Sequence, residues 1–85
     1  MAYRVEFGPA AARQFKKLIR PVQEVITKRL EELAINPRPP GVKKLQGEEN
    51  LYRVREGDYR IVYEIQDQAL LVIVVKVGHR SDVYK

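Results

Sequence analysis

The chain has 85 residues, of which 45% are hydrophobic and 32% are charged, and it contains no cysteine. This length supports one core in a single domain, residues 1–85, and the composition is that of a folded globular protein. The lack of cysteine excludes disulfides and thiolate metal sites. With a single histidine and no carboxylates at EF-hand spacing, we expect neither a metal nor a small-molecule cofactor.

The hydrophobic stretches are short, and the net charge is +5. The longest apolar stretch, residues 69–75, falls far below the ~20 residues of a membrane helix. No apolar segment typical of a signal peptide follows Met1, so we expect a cytoplasmic protein without a membrane partner. Residues 13–44 hold nine Lys and Arg against three Glu. This basic half suits an acidic partner, either nucleic acid or protein, although surplus lysines that serve solubility are the alternative.

The first half of the chain predicts a strand and two helices. Residues 3–7 alternate as a short strand does, and Gly8-Pro9 then provides a cap and a first-turn proline. Apolar residues recur at helical spacing over residues 11–19. Arg20-Pro21 ends that helix and begins a second one, which stops near Asn36-Pro37. Residues 36–50, with three prolines and two glycines, predict a loop.

Three strand-like runs follow, at residues 51–56, 59–66 and 69–77. Gly57-Asp58 suits a two-residue type II′ turn, which fixes the register of the first two strands. Arg53 then lies opposite Val62, and Arg55 lies opposite Arg60, on the face away from the helices. Opposed like charges cost up to about 1 kcal/mol. The arginines either splay into solvent and pair with glutamates, or form a cationic floor for a phosphate.

The third strand predicts a site at its end. A tight turn at Asp67-Gln68 would divide its apolar residues between the two faces of the sheet. The face covered by the helices would receive Leu70, Val72 and Val74, and the arginine face would receive Leu71, Ile73, Val75 and Val77. Such a strand is central or is covered by a partner. Beyond it, Arg80 and Tyr84 could fold over the arginine face.

The segments GVKKLQG, YRVREGDYRIVYEI and VGHRSDVYK resemble the RelE/ParE superfamily of toxins, specifically the RelE-like messenger-RNA interferases. The resemblance covers nearly the whole chain in order. It implies an α+β fold, in which a small antiparallel sheet with element order β-α-α-β-β-β packs against an N-terminal helical hairpin. This expectation agrees with the register of the second and third predicted strands.

The resemblance also implies a function. Such toxins cleave messenger RNA in the ribosomal A site without a metal, and a cognate antitoxin, RelB-like and acidic, inhibits them. The ribose 2′-hydroxyl attacks the adjacent phosphate, giving a 2′,3′-cyclic phosphate and a 5′-hydroxyl. That reaction needs a proton acceptor, cations to stabilise the phosphate charge and a proton donor for the leaving oxygen.

By motif position, Arg53 and Arg55 match two basic strand residues that bind the phosphate or serve the 2′-hydroxyl. Arg60 matches the phosphate-stabilising arginine. Lys43 and Lys44, in GVKKLQG, are expected to contact the RNA.

The C-terminal segment supplies the remaining expected site residues. Arg80 matches the arginine that stabilises charge or protonates the leaving group, and Tyr84 matches the aromatic residue that stacks on a base. The family pattern has lysines where this chain has Arg53 and Arg55, and one of those lysines is a candidate general base. Arginine practically cannot lose its proton, so His79 is the alternative base, against an ordinary surface histidine.

Two other functions stay open at this point. One is a ParE-like toxin, a protein that inhibits DNA gyrase without being an enzyme and uses the same fold. The other is a plain RNA-binding or scaffold module. Retention of Arg60, Arg80 and Tyr84 together favours the nuclease, because a gyrase binder does not need a phosphate-clamping set on one face.

Overall fold

The computed structural model describes residues 2–45, 47 and 50–83. The helices and strands of this part of the chain are β1 (Arg4–Phe7), α1 (Pro9–Lys16), α2 (Arg20–Ile35), β2 (Lys43–Lys44), β3 (Leu51–Glu56), β4 (Tyr59–Gln66), β5 (Leu71–His79) and α3 (Arg80–Val83). None of these helices is long and apolar enough to span a membrane.

The strands form one sheet in the order β1-β5-β4-β3-β2. The α+β class is confirmed, but the sheet is mixed, because β1 runs parallel to β5 while the other neighbours are antiparallel. The two helices return the chain to the end of the sheet where β1 starts, and there the Tyr3 N–H donates to the Ala34 carbonyl over 2.7 Å. The β4–β5 turn lies at the same end, since the Tyr3 hydroxyl donates to the Asp67 carboxylate over 2.7 Å. β1 and β5 therefore begin at the same end of the sheet and run in the same direction.

The two predicted helices are confirmed, and their ends follow from local residues. Gly8 caps α1, and Pro9 occupies its first turn. A Cβ at Gly8 would lie 3.2 Å from the Val74 carbonyl oxygen, a tight contact, so glycine allows this close approach to β5 without a shift of the strand. Pro21 lies in the first turn of α2, which ends one residue before Asn36.

The core lies between the two long helices and one face of the sheet. Its buried side chains are Ala11, Ile26, Leu30, Leu33, Val54, Ile61, Tyr63, Ile65, Val72, Val74 and Val77. The Tyr63 hydroxyl donates to the Pro37 carbonyl over 2.6 Å, which ties the segment after α2 to the middle of the sheet. Burial raises the pKa of Tyr63, so this hydroxyl stays protonated and keeps its donor.

The segment predicted as a loop, residues 36–50, contains a short strand. Lys43 and Lys44 form β2, opposite Arg53 and Tyr52 respectively. A two-residue strand is too short to show alternation, so the sequence pattern could not reveal it.

The prediction for the start of β5 was wrong, because the strand begins at Leu71 and not at residue 69. The turn takes four residues, 67–70, and Leu70 closes it at φ 51° instead of lying on the face covered by the helices. Val72 and Val74 do lie on that face, fully buried.

The prediction for the end of β5 was wrong because the strand contains a β-bulge. Tyr63 pairs with Val74, but Val62 pairs with Lys76, so Val75 is an extra residue. The bulge shifts the following residues by one position. Val77, expected beside the arginines, therefore lies opposite Ile61 in the core at 2% exposure.

Candidate active site

The β3–β4 hairpin positions the arginines as predicted. Gly57 has φ 60°, and Asp58 is not among the residues with positive φ, which is the pattern of a type II′ turn. Arg53 pairs with Val62, and Arg55 pairs with Arg60. The three arginines therefore share the face of the sheet that the helices do not cover.

This surface, called here the cationic face, contains two cross-strand rows. The first row is Arg55, Arg60 and Gly78. The second row is Lys43, Arg53, Val62 and Lys76. Adjacent rows on one face lie ~6.6 Å apart along the strands, and neighbouring strands lie ~4.8 Å apart. Five cations thus face the same side within the reach of their flexible side chains.

Arg60 is the most constrained member of the cationic face. It is only 6% exposed, and its Nη1 donates to the backbone carbonyls of Gly57 and Tyr59 over 3.2 and 3.1 Å. Its Nε is buried and has no acceptor among the described residues. Gly78, directly opposite, contributes no side chain to this row. A buried charged donor without an acceptor is costly, and an anion oxygen would satisfy it.

The glutamate next to the hairpin turn does not neutralise this site. Glu56 lies on the other face, where its carboxylate is 3.0 Å from Arg29 Nε. Arg29 Nη2 also donates to the Arg55 carbonyl over 3.0 Å, which anchors the end of β3 to α2. Neither Arg55 nor Arg60 forms an ion pair with a carboxylate in the described part of the chain.

Arg80 reaches the same end of the sheet through its backbone. Its N–H donates to the Asp58 carbonyl over 2.8 Å, so α3 begins beside the β3–β4 turn. Arg80 is exposed. The structure thus brings Arg80 to the end of the sheet that holds Arg55 and Arg60. Tyr84, the predicted base-stacking residue, lies outside the described residues.

His79 lies on the other face from the arginines. It pairs with Tyr59, whose ring packs against the core, and the two rings meet edge to face at 5.7 Å. Its Nδ1 lies 3.0 Å from the Ser81 hydroxyl oxygen. The structure therefore does not bring His79 together with Arg55 and Arg60.

The two lysines of β2 also lie on opposite faces of the sheet. Lys43 lies opposite Arg53 and belongs to the cationic face, whereas Lys44 lies opposite Tyr52 on the face that the helices cover. The sequence reasoning missed Lys76, because regular alternation would point it toward the core. Only the β-bulge turns it to the cationic face.

Another arginine, Arg38, belongs to the fold instead of the site. Its guanidinium binds both carboxylate oxygens of Asp67, over 3.1 and 2.9 Å, and lies 5.1 Å from the centre of the Tyr52 ring. The hydrogen bonds from Arg38 and then Tyr3 lower the pKa of Asp67 to about 2. The same carboxylate raises the pKa of Tyr3. This cation is neutralised at the end of the sheet far from the β3–β4 turn.

Comparison with known proteins identifies the family. The sequence family described as "ParE toxin of type II toxin-antitoxin system, parDE" matches residues 5–84. The protein named mRNA interferase toxin RelE, from Escherichia coli strain K12, is 36% identical over 88 residues, covering 99% of this chain and 92% of that protein. The chain belongs to the RelE/ParE toxin superfamily.

Solved structures of RelE/ParE toxins have the same fold. In the intact E. coli RelBE toxin-antitoxin complex, the matched chain has a TM-score of 0.82 and 32% identity, covering 92% of this chain and 96% of that one. The archaeal RelE-RelB complex from Pyrococcus horikoshii also matches with a TM-score of 0.82, at 26% identity, covering 96% and 99% of the two chains. The sheet and helices described above are therefore those of the RelE/ParE fold.

The cationic face of this RelE/ParE protein is suited to bind and stabilise a phosphate. Guanidinium groups match phosphate oxygens well and stay charged at all physiological pH values. In the described part of the chain, no three His, Asp or Glu side chains are grouped closely enough to hold a metal ion. What this face offers chemically is positive charge and hydrogen-bond donors held in a fixed arrangement.

Proposed function

We propose that this protein is the toxin of a type II toxin-antitoxin system and that it cleaves messenger RNA in the ribosomal A site. The observation that carries the proposal is the buried Arg60 guanidinium. It has an unused Nε donor and no carboxylate partner among the described residues, and it lies opposite Arg55. A phosphodiester group supplies the acceptor oxygens and the negative charge that this pair of arginines lacks.

The proposed reaction is attack of a ribose 2′-hydroxyl on the adjacent phosphorus. The 2′-oxygen forms a bond to phosphorus, and the bond from phosphorus to the 5′-oxygen breaks. A water molecule takes the proton of the 2′-hydroxyl, and a water molecule gives one to the leaving 5′-oxygen. The products are a 2′,3′-cyclic phosphate and a 5′-hydroxyl. Because negative charge grows on the phosphate oxygens in the transition state, fixed cations accelerate this step.

Each cation of the site has a separate role in the proposal. Arg60 and Arg55 hold the phosphate oxygens, and Arg53 holds the RNA on the 2′-hydroxyl side. Arg80 stabilises the negative charge that develops on the leaving 5′-oxygen. Tyr84 stacks on a base, an interaction worth about 1–3 kcal/mol that does not read the sequence.

Loss of the 2′-hydroxyl proton is favoured by charge on the cationic face. A positive group within ~4–6 Å of an ionising oxygen favours its anionic form. Arg53 and Arg55 provide such groups, whereas the ring of His79 lies on the other face. The proposed role of the arginines is thus to make the 2′-oxygen a better nucleophile, in addition to binding the phosphate.

The partner of the proposed toxin is an acidic, RelB-like antitoxin, and its place of action is the cytoplasm, where messages are translated. One matched structure is described as the intact E. coli RelBE toxin-antitoxin complex, and another as an archaeal RelE-RelB complex from Pyrococcus horikoshii. The net charge of +5 suits both an acidic antitoxin and RNA.

Primer extension on a translated message, with and without ribosomes, tests the proposal. The wild-type protein should give cuts within codons only when ribosomes are present. The Arg60→Ala, Arg80→Ala double variant should give none, while it still binds the antitoxin and unfolds cooperatively. Cleavage at the wild-type rate by that folded double variant contradicts the proposed site.

The second candidate is a gyrase inhibitor without enzymatic activity, and the match to the family described as ParE toxin favours it. A DNA supercoiling assay with purified gyrase separates the two candidates. The nuclease proposal predicts normal supercoiling together with message cleavage. Inhibited supercoiling without message cleavage supports the ParE-like alternative.

A further inference from the structure

The β-bulge in β5 has a consequence for RNA binding. In a regular ladder without the bulge, Val75 would pair with Val62, Lys76 would lie opposite Ile61 in the core, and Val77 would lie on the cationic face. The bulge reverses both placements, so that Val77 is buried and Lys76 is exposed opposite Val62. Bulges commonly redirect a side chain near a functional site.

The surroundings of Lys76 leave it accessible. β1, the neighbour of β5 on the outer side, ends at Phe7, which pairs with Val74 before the bulge. No carboxylate in the described part of the chain forms an ion pair with Lys76. Lys76 is therefore an exposed cation at the outer end of the row that begins with Lys43 and contains Arg53.

We propose that Lys76 binds an RNA phosphate and that the row Lys43, Arg53, Lys76 is a track along which the RNA backbone crosses the strands. This inference rests on the proposed function. The row spans three strand spacings, ~14 Å from Lys43 to Lys76. That length exceeds one phosphate group, so the track holds the nucleotides that flank the phosphate bound by Arg55 and Arg60. Lys76 is thus a positioning residue for the cleaved strand.

A phosphate contact has a measurable signature in the salt dependence of binding. Each phosphate neutralised on a single strand contributes about −0.7 to the slope of log K against log salt concentration. Because the phosphate is the same in every nucleotide, the loss of affinity should also be equal for different RNA sequences.

The test uses the full chain and a fluorescein-labelled 12-nucleotide RNA with 2′-O-methyl riboses, which this chemistry cannot cleave. Anisotropy titrations between 50 and 200 mM KCl should give a slope shallower by about 0.7 for Lys76→Ala. Lys28→Ala is the matched control, because Lys28 is an exposed lysine on α2 and its removal changes the net charge equally. Its slope should equal that of the wild type, and Lys76→Arg should restore the wild-type slope.

The outcomes separate this inference from the proposed function. If Lys76→Ala and Lys28→Ala have the same slope while Arg60→Ala abolishes cleavage, the track is wrong and the catalytic site stands. If Lys76→Ala has the shallower slope while Arg60→Ala cleaves normally, the track stands and the proposed catalytic site is wrong. An unequal loss of affinity on two unrelated RNA sequences also overturns the inference, because a phosphate contact reads no bases.

Discussion

The two faces of the sheet are built from the same strands and have opposite chemistry. On β4, Ile61 and Tyr63 point to the helices and are fully buried, while Arg60 and Val62 point to the other side. The first face is apolar and holds the fold together. The second carries cations that lie opposite each other in the ladder, an arrangement that costs stability.

Because the side chains of a strand alternate, the residues that bury apolar surface and the residues that carry charge lie on opposite faces of this sheet. Charge on the cationic face can change without altering the side chains that bury apolar surface, because neighbouring residues point in opposite directions. Arg38, by contrast, is a cation that stabilises the fold, because it forms an ion pair with Asp67. Arg60 has no such carboxylate among the described residues.

The largest effect on stability is expected from the face that the helices cover. Leu33→Ala removes a fully buried side chain and should lower the free energy of unfolding by about 2–5 kcal/mol, measured by urea denaturation. The control is Ile35→Ala, on the same helix, because Ile35 is 77% exposed and its truncation should cost less than about 0.5 kcal/mol. Equal losses in the two variants would show that α2 does not pack as described.

A smaller effect is expected from the buried hydroxyl of Tyr63. Tyr63→Phe leaves the Pro37 carbonyl without its donor and should cost about 1–2 kcal/mol in urea denaturation. Tyr59→Phe is the matched control, since the Tyr59 hydroxyl has no hydrogen bond within the described residues, and its loss should be near zero. The comparison fails if both variants lose the same stability.

The ion pair at the far end of the sheet should appear in the pH dependence of stability. The pKa of Asp67 is lowered from 3.8 to about 2 in the folded protein, so its stabilising effect is complete above about pH 4 and is lost as the pH falls toward 2. Asp67→Asn should therefore be less stable than the wild type at pH 7, and thermal melts should show the difference shrinking between pH 4 and 2. Arg38→Gln should make this pH-dependent step smaller, and the hydrogen bond from Tyr3 should keep the remainder. A difference that stays constant over this range would contradict the assignment.

The smallest effect is expected from His79. Because its ring lies on the face that the helices cover, His79→Phe should change the rate of message cleavage less than twofold, and the edge contact with Tyr59 is retained by the phenyl ring. The rate should be measured between pH 6 and 9 for both proteins. A cleavage rate more than a hundredfold lower in the variant would support His79 as the general base. So would a pH–rate profile in which an ionisation near neutral pH, present in the wild type, is absent from the variant.

Much of the site could be predicted from the sequence, because the β3–β4 register follows from a two-residue turn. Gly57-Asp58 defines that turn, and strict alternation then places Arg53, Arg55 and Arg60 on one face. The starts of α1 and α2 were also predictable, since proline is favoured in a first turn, whereas α1 ends at Lys16, before the predicted break at Arg20-Pro21.

The remaining features depend on contacts that a local pattern does not contain. The direction of β1 is set by where the helical pair returns the chain, and β2 is too short to show a period. The bulge at Val75 breaks alternation without any glycine to mark it, so the faces of Lys76 and Val77 were exchanged in the prediction. The burial of Arg60 could not be predicted either, because strand alternation indicates which face of the sheet the side chain lies on and says nothing of its hydrogen bonds.

The central claim is that Arg60 on the cationic face carries the chemistry while the other face carries the fold. The most direct measurement is the first-order rate of message cleavage on programmed ribosomes at saturating toxin, for the wild type and for Arg60→Gln. Removing a fixed donor that stabilises transition-state charge predicts a rate lower by about 10²–10³-fold, in a protein that still unfolds cooperatively and binds its antitoxin. A folded Arg60→Gln variant that cleaves within threefold of the wild-type rate would contradict the claim.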